Sequence, residues 1–259
     1  MDTGVLHGVM VGLAVLISIV VGLTLAHGTR WWLADETQLH SLESSQAYRR
    51  PMLIAVGVVI AAAAALLFPT AAVLPNMTGW TAYAPLSGTT FTPSDPNVFD
   101  PLLLAVVLGL CSAATPFLVV VDLLVRRLPD RIVLPLIALV ALGCLLGAVF
   151  GQSHIWIVGL FAGIGATVFF GLLHLIGRLL RTSTMGLGDV KLSFIVFTVA
   201  GLYSPWSPAL VLVIMMLIAG LVALAAIVSK GRLRGTTIAF GPSMLSGMWL
   251  GSVLSPFLL

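Results

Sequence analysis

The sequence predicts an all-α, polytopic membrane protein with about eight transmembrane helices and both termini outside. Two features of the composition lead to this prediction: 59% of the 259 residues are hydrophobic, and only 8% are charged. Soluble domains carry about 25% charged residues, so the composition argues against a soluble fold. The third observation is that apolar runs recur along the chain, and a spanning helix needs about 20 apolar residues.

Eight apolar runs are separated by short polar links. The sixth run is short, so we expect its helix to tilt or to extend upstream. The first run lacks the basic segment and small-residue cleavage site of a signal peptide, so we interpret it as a retained span. The runs are, in chain order, Val5–Leu25, Met52–Leu74, Leu102–Val121, Ile132–Phe150, Ile155–Ile176, Leu192–Tyr203, Ala209–Val228 and Ile238–Leu259.

The basic residues indicate how the runs cross the membrane. All 12 Lys and Arg residues lie in alternate links, and the intervening links contain none. Under the positive-inside rule these basic links face the cytoplasm, which places both termini outside. If the sixth run did not cross, Lys230, Arg232 and Arg234 would lie on the opposite side from the other basic residues. The pattern therefore predicts that the sixth run crosses.

We divide the chain after the first outer link. Residues 1–101 form an N-terminal two-span region, with a cytoplasmic loop at 27–50 and an outer loop at 75–101. Residues 102–259 form a six-span core. The outer loop is rich in turn-forming residues and contains Asp95 and Asp100, which we expect in an exposed, irregular segment.

Three acidic residues on the cytoplasmic side are candidates for chemistry: Asp122, Asp130 and Asp189. Asp122 follows the third apolar run, and Asp189 lies beside two glycines at the edge of the sixth. Ionisable groups at such depths are functional candidates. If Asp122 and Asp189 converge, they can share a proton, which provides a general base to activate water and a general acid to protonate a leaving group.

Other interpretations of these acids remain open. Asp122 has Arg126 at helical spacing for an ion pair, and Asp130 fits a loop charge or a helix N-cap. The acids could also fix topology or carry protons or ions. The alternatives to an enzyme are therefore a proton- or ion-coupled transporter and a non-enzymatic subunit of a pilus or secretion machine.

The residues give no sign of a metal site. Cys111 and Cys144 both lie inside apolar runs, with no CxxC pair and no cysteine–histidine cluster. This pattern argues against structural zinc and against a disulfide framework. A zinc hydrolase would also need a motif such as HExxH, which the chain lacks.

Three motifs, in order, resemble the type IV prepilin peptidases, which are membrane aspartic peptidases with a GxGD signature. Met185–Leu192 contains that signature. Asp122–Arg131 resembles the first motif of the family, in which an aspartate lies seven positions before the proline of a Leu-Pro-Asp turn, here Pro129. Ile238–Pro242 resembles the Phe-Gly-Pro stretch that opens the last span. The resemblance covers about Leu102–Leu250.

The resemblance implies an eight-span endopeptidase that removes the leader of type IV prepilins or pseudopilins at the cytoplasmic face of a bacterial inner membrane. Asp122 and Asp189 would be its catalytic pair. In such enzymes the substrate has a basic leader, which is cut off after a glycine, followed by a hydrophobic helix. The residues that the motifs place around the site are Pro129, Asp130, Gly186, Gly188, Lys191, Gly241 and Pro242.

The first cytoplasmic link departs from the family pattern. Many members carry paired CxxC motifs there and also N-methylate the trimmed pilin with S-adenosylmethionine, whereas His27–Arg50 is short and has no cysteine. We therefore predict no metal and no cofactor for proteolysis, and the sequence gives methylation no support. The predicted partners are the substrate and the lipid bilayer. Nucleic acid is not among them, because the net charge of +3 follows from topology; the sequence sets no oligomeric state.

Overall fold

The computed structural model describes residues 3–33, 45, 48–69, 98–151, 154–180, 186–230 and 239–258. Within these residues all regular structure is helical, and each of the eight apolar runs overlaps one long helix. The helices are α1 (Thr3–His27), α2 (Thr29–Trp32), α3 (Arg50–Leu66), α4 (Phe99–Val125), α5 (Asp130–Phe150), α6 (Ile155–Leu179), α7 (Leu187–Tyr203), α8 (Ser207–Lys230) and α9 (Gly241–Leu258).

Five helices in the described part of the chain are long and apolar enough to cross a membrane. They include α1, α4, α5, α6 and most of α8. The prediction of an all-helical, polytopic membrane protein is thereby confirmed. α3 and α7 have 17 residues each and α9 has 18, so the count of eight spans and the placement of the termini stay predictions.

The helices begin and end at different residues from the apolar runs. α4 begins at Phe99 rather than Leu102, so the last residues of the predicted outer loop are helical, and Asp100, which we expected to be exposed, is buried. α7 begins at Leu187 and extends upstream through the glycine motif, as expected for a short run. An acidic residue is tolerated in a first helical turn because the backbone N–H groups there are free and favour negative charge.

One end of the bundle is formed by the starts of α4 and α6 and by the ends of α3, α5 and α7. The Trp156 indole of α6 donates a hydrogen bond of 2.8 Å to the Asp100 carboxylate of α4. The Tyr203 hydroxyl of α7 donates one of 2.7 Å to the Ala64 carbonyl of α3. These contacts satisfy polar groups that are buried away from water.

The opposite end of the bundle carries Asp122 and Asp189. There the start of α9 meets the end of α4, and the start of α7 meets the start of α5. The described basic residues of the links also lie at the helix termini of this end. The structure therefore brings the basic links and the candidate carboxylates to one end of the molecule.

α7 is the central helix of the bundle. Its residues from Leu192 to Tyr203 are all buried, as expected for a helix that is apolar on every side. α6 packs closely on it through small residues: a Cβ on Gly201 would lie 2.8 Å from the Gly159 Cα. Small residues let helix backbones approach in membranes, so α6 and α7 hold one another in a fixed register.

The N-terminal helices α1 and α3 pack against α4, which is the first helix of the predicted six-span core. A Cβ on Gly109 of α4 would lie 2.8 Å from the Ala14 carbonyl oxygen of α1, and one on Gly57 of α3 would lie 3.2 Å from the Ser112 carbonyl oxygen. α1 and α3 thus both support α4 through close contacts at small residues. The division at residue 101 stays a prediction.

Candidate active site

Asp122 lies in the last helical turn of α4, and its side chain is buried. Its Oδ2 atom accepts a hydrogen bond of 3.0 Å from the backbone N–H of Gly241, the first residue of α9. The N-terminus of a helix stabilises negative charge because its first N–H groups lack helical partners. The start of α9 therefore holds the Asp122 carboxylate in place.

A side chain at position 241 would displace the Asp122 carboxylate or the start of α9. A Cβ there would lie 2.7 Å from Asp122 Oδ2, well inside van der Waals contact. Pro242 follows at the second position of α9, where the missing N–H of a proline costs no helical hydrogen bond. Gly241 and Pro242 therefore shape the α9 side of the site, whereas the sequence had given them no individual roles.

Asp189 lies in the first turn of α7, ahead of the apolar run that begins at Leu192, and it is partly exposed. Gly186 occupies the N-cap with an extended backbone, and its carbonyl accepts hydrogen bonds from the N–H groups of Asp189 and Val190. The carboxylate is thus carried at the beginning of the helix that forms the centre of the bundle.

Neither glycine of the signature has a backbone conformation that requires glycine: Gly186 has an ordinary extended backbone at φ −70°, and Gly188 is helical. Gly188 instead permits close packing, because a Cβ there would lie 3.3 Å from the Leu128 Cβ in the α4–α5 turn. The requirement is for space rather than for backbone freedom.

Asp122 and Asp189 are close enough to interact electrostatically. The pKa of Asp189 is raised to about 6; burial is the largest cause, repulsion from Asp122 the second, and hydrogen bonding by the Gly186 backbone acts against them. Two neighbouring carboxyl groups that resist simultaneous ionisation can share one proton. This electrostatic state is the one that acid–base chemistry requires near neutral pH.

A salt bridge joins the first motif to the signature. Lys191 Nζ lies 2.7 Å from Asp130 Oδ1, and the two side chains are 34% and 59% exposed. Asp130 is the first helical residue of α5, and Pro129 occupies the N-cap before it. Of the two interpretations left open for Asp130, the N-cap does not apply, because Pro129 holds that position. The Asp130 carboxylate instead pairs with Lys191 at the start of α7.

Residues 109–227 match the type IV leader peptidase family. This segment belongs to that family. It covers a little under half of the chain and includes α5, α6, α7 and most of α4 and α8. Comparisons with curated proteins and with solved structures found no match.

The leader peptidase segment contains Asp122, Asp130, Asp189 and Lys191, but it ends before α9. The N–H group that binds Asp122 therefore comes from outside the matched residues. α2 also lies outside them, and its Trp31 carbonyl accepts a hydrogen bond from the guanidinium of Arg131 at the start of α5. Elements on both sides of the family segment thus support the α4–α5 turn.

The sequence did not predict two contacts that glycines make. One is the hydrogen bond from the Gly241 N–H to Asp122, and the other is the packing of Leu128 against Gly188. The Asp100-Pro101 pair was a usable signal for the start of α4, since an acidic residue and a proline favour the first helical turn.

Arg126 ends α4 in a left-handed conformation at φ 56°, and its N–H donates to the Asp122 carbonyl. This backbone conformation and hydrogen bond form a helix C-cap. Among the described residues, no three His, Cys, Asp or Glu side chains come together as a metal site would require.

Proposed function

We propose that the protein is a membrane-embedded aspartic endopeptidase that removes the leader from type IV prepilins or pseudopilins. Asp122 and Asp189 are its catalytic pair, and cleavage takes place at the cytoplasmic face of a bacterial inner membrane. The proposal assigns no metal or cofactor to proteolysis, and it does not include N-methylation.

The observation that supports the proposal is that Asp122 and Asp189, both within the segment that matches the leader peptidase family, interact electrostatically. The pKa of Asp189 is raised to about 6 by burial and by repulsion from Asp122. A carboxyl pair that holds one proton near neutral pH contains both a base and an acid. This arrangement supports an aspartic mechanism over a purely topological role for the acids.

The chemistry follows from the shared proton. The ionised carboxylate takes a proton from water as the water oxygen attacks the scissile carbonyl carbon. The protonated carboxyl group then gives its proton to the departing amide nitrogen while the carbon–nitrogen bond breaks. The products are a new carboxylate on the leader and a new amine on the mature chain, and the pair regains its starting state after one proton is redistributed.

The placement of the pair suits a substrate with a polar leader and an apolar helix. Asp189 lies at the start of α7 and is partly exposed, so it lies between water and the apolar part of the bundle. A leader held in the cytoplasm would meet the pair at its junction with the hydrophobic helix. The basic residues of the links, which the positive-inside rule assigns to the cytoplasm, support this orientation.

The test is cleavage of a prepilin-like precursor by the full chain in vesicles. Asp122→Asn and Asp189→Asn keep side-chain size but remove the acid and base, so each should lower the cleavage rate at least about a hundredfold. Protein abundance in the membrane should stay near that of the wild type.

Asp100→Asn provides the matched control. Asp100 is another buried aspartate, but it lies at the opposite end of the bundle, and an asparagine oxygen can still accept the hydrogen bond of Trp156. We expect this variant to cleave normally. Continued cleavage by both the Asp122 and the Asp189 variants would refute the proposed function, and proton flux without cleavage would instead favour a transporter.

A further inference from the structure

The ion pair of Lys191 and Asp130 connects the start of α7, which carries Asp189, to the turn that follows the end of α4, which carries Asp122. The pair is short at 2.7 Å, but both side chains are well exposed, at 34% and 59%. Exposed ion pairs contribute little to the free energy of unfolding. Its importance therefore depends on what it connects rather than on how strongly it binds.

Lys191 is two residues after Asp189 in the same helix, so the two move together as part of α7. Asp130 begins α5 directly after Pro129, and the short turn before it starts where α4 ends, one helical turn beyond Asp122. Proline restricts its own backbone, which makes this turn a stiff connection. Movement of Asp130 relative to Lys191 would thus change the position of Asp189 relative to Asp122.

A second contact joins the same two segments. The Leu128 side chain in the α4–α5 turn lies against Gly188 of α7. A Cβ on Gly188 would lie 3.3 Å from the Leu128 Cβ, which is a tight contact. The ion pair and this packing contact lie on either side of Asp189 in the sequence. Two points of attachment restrict both the distance and the rotation of the first turn of α7.

We propose that Lys191 and Asp130 are positioning residues whose ion pair fixes the start of α7 against the α4–α5 turn and so holds Asp189 within reach of Asp122. This inference rests on the proposed function, because its consequence for cleavage depends on the pair being catalytic. Neither Lys191 nor Asp130 takes part in a proton transfer to the substrate.

The inference predicts a specific kinetic signature. A displacement of about 1 Å at reacting groups can lower a rate about a hundredfold, so loss of the pair should lower kcat about tenfold or more. The KM should change little, because neither side chain is assigned to substrate binding. Thermal unfolding should also change little, since the pair is exposed.

The experiment uses the full chain in vesicles with a prepilin-like precursor. Lys191→Met and Asp130→Asn should each lower kcat. The exchanged pair, Asp130→Lys with Lys191→Glu, should restore kcat to within about threefold of the wild type, since opposite charges at this distance attract in either order. Arg178→Met is the control, because Arg178 is an exposed basic residue in the last turn of α6; its kcat should not change.

A second measurement needs no substrate. Spin labels at Leu187→Cys and Arg127→Cys, both exposed positions beside the pair, report the separation of α7 from the α4–α5 turn by their dipolar coupling. The native Cys111 and Cys144 are buried, which limits their labelling. Lys191→Met should broaden the distribution of distances, and the exchanged pair should narrow it again.

The outcomes separate this inference from the proposed function. Normal cleavage by the Asp122→Asn and Asp189→Asn variants would overturn the proposed function, and the spin labels would then decide whether the pair positions α7. If those variants are inactive, wild-type kcat in both neutralised variants would overturn only the positioning role. An exchanged pair that stays as slow as the single variants would also overturn it.

Discussion

At the residue scale, the position of the Asp122 carboxylate depends on a backbone N–H group, that of Gly241, rather than on a side chain. The Gly241 N–H binds the carboxylate, and the absence of a Cβ allows α9 to approach it. A backbone donor of this kind cannot rotate away as a side chain can. It therefore fixes one member of the carboxyl pair while α7 carries the other.

Gly241→Ala should impair cleavage strongly. The added Cβ would lie 2.7 Å from Asp122 Oδ2, so either the carboxylate or the start of α9 must move, and a shift of about 1 Å can lower kcat about a hundredfold. Gly220→Ala is the matched control, because a Cβ on Gly220 of α8 meets nothing within 4 Å. Equal kcat values for the two variants in the vesicle assay would contradict this role for Gly241.

The pKa of Asp189 predicts how stability depends on pH. That pKa is raised from 3.8 to about 6, so the folded chain binds a proton that the unfolded chain has already released between these values. The stability from this group is complete below the unfolded pKa and is lost as pH rises through about 6. Asp189→Asn has no charge to bury, so its midpoint of thermal unfolding should rise relative to the wild type above about pH 6.

The comparison needs melting curves of both proteins in detergent from about pH 4 to about pH 8, a range that covers the expected titration. The difference between the two midpoints should grow as pH increases and then level off. A constant difference across this range would show that Asp189 titrates as an ordinary exposed carboxyl group.

Among individual residues, the sequence predicted which carboxyl groups share one end of the bundle but not what holds them. The alternation of basic links was sufficient to bring Asp122 and Asp189 to one face. The hydrogen bond to Gly241 joins residues 119 positions apart, and it depends on how α4 and α9 are placed relative to one another along the bundle axis. Hydrophobic patterning does not determine that axial placement.

At the scale of elements, the register between α6 and α7 is set by small residues. A Cβ on Gly163 would lie 2.0 Å from Thr198 Oγ1, and one on Gly159 would lie 2.9 Å from Leu202 Cδ2. Because α7 carries Asp189 at its start, its position along the bundle axis also decides the depth of the site. The α6 surface is therefore part of what locates the carboxyl pair.

Gly163→Val should lower the free energy of unfolding by about 1–3 kcal/mol, the usual cost of overpacking a closely packed core. Gly165→Val tests the same substitution in the same helix at a position where a Cβ meets nothing within 4 Å. Unfolding in detergent should show a lower midpoint for the first variant only. A similar loss in both would indicate a general cost of valine in α6 rather than a contact with α7.

The helices themselves were predictable from the apolar runs, whereas their ends were not. α4 begins before its run, α7 begins within the glycine signature, and α3 ends before its run does. Apolar runs identify residues that avoid water, but a helix continues as long as its backbone groups find partners. Polar residues such as Asp100 and Asp189 are accommodated in first turns for that reason.

At the scale of the whole molecule, the two ends of the bundle have different chemistry. One end collects the described basic residues and the two candidate carboxyl groups, and the other contains Asp100 with Trp156. The positive-inside rule predicts that the first end faces the cytoplasm. This predicted orientation can be measured without a substrate.

Single cysteines at Arg127 and Trp206 test the orientation. Both positions are exposed, and Trp206 lies in the turn between α7 and α8 at the opposite end of the bundle. A membrane-impermeant maleimide should label Trp206→Cys in intact cells, but Arg127→Cys only after the membrane is opened. The reverse pattern would place the carboxyl pair on the outer face and would exclude a cytoplasmic leader peptidase.

α7 is shorter than its neighbours α5, α6 and α8, and this has a consequence for the bilayer. Its 17 residues rise about 25 Å at 1.5 Å per residue, whereas the hydrocarbon layer is about 30 Å thick. A helix enclosed by protein does not need to match that thickness; the longer outer helices meet the lipid and can tilt as it changes. Thicker or thinner membranes should therefore alter the periphery of the bundle, while the depth of Asp122 and Asp189 in the membrane stays constant.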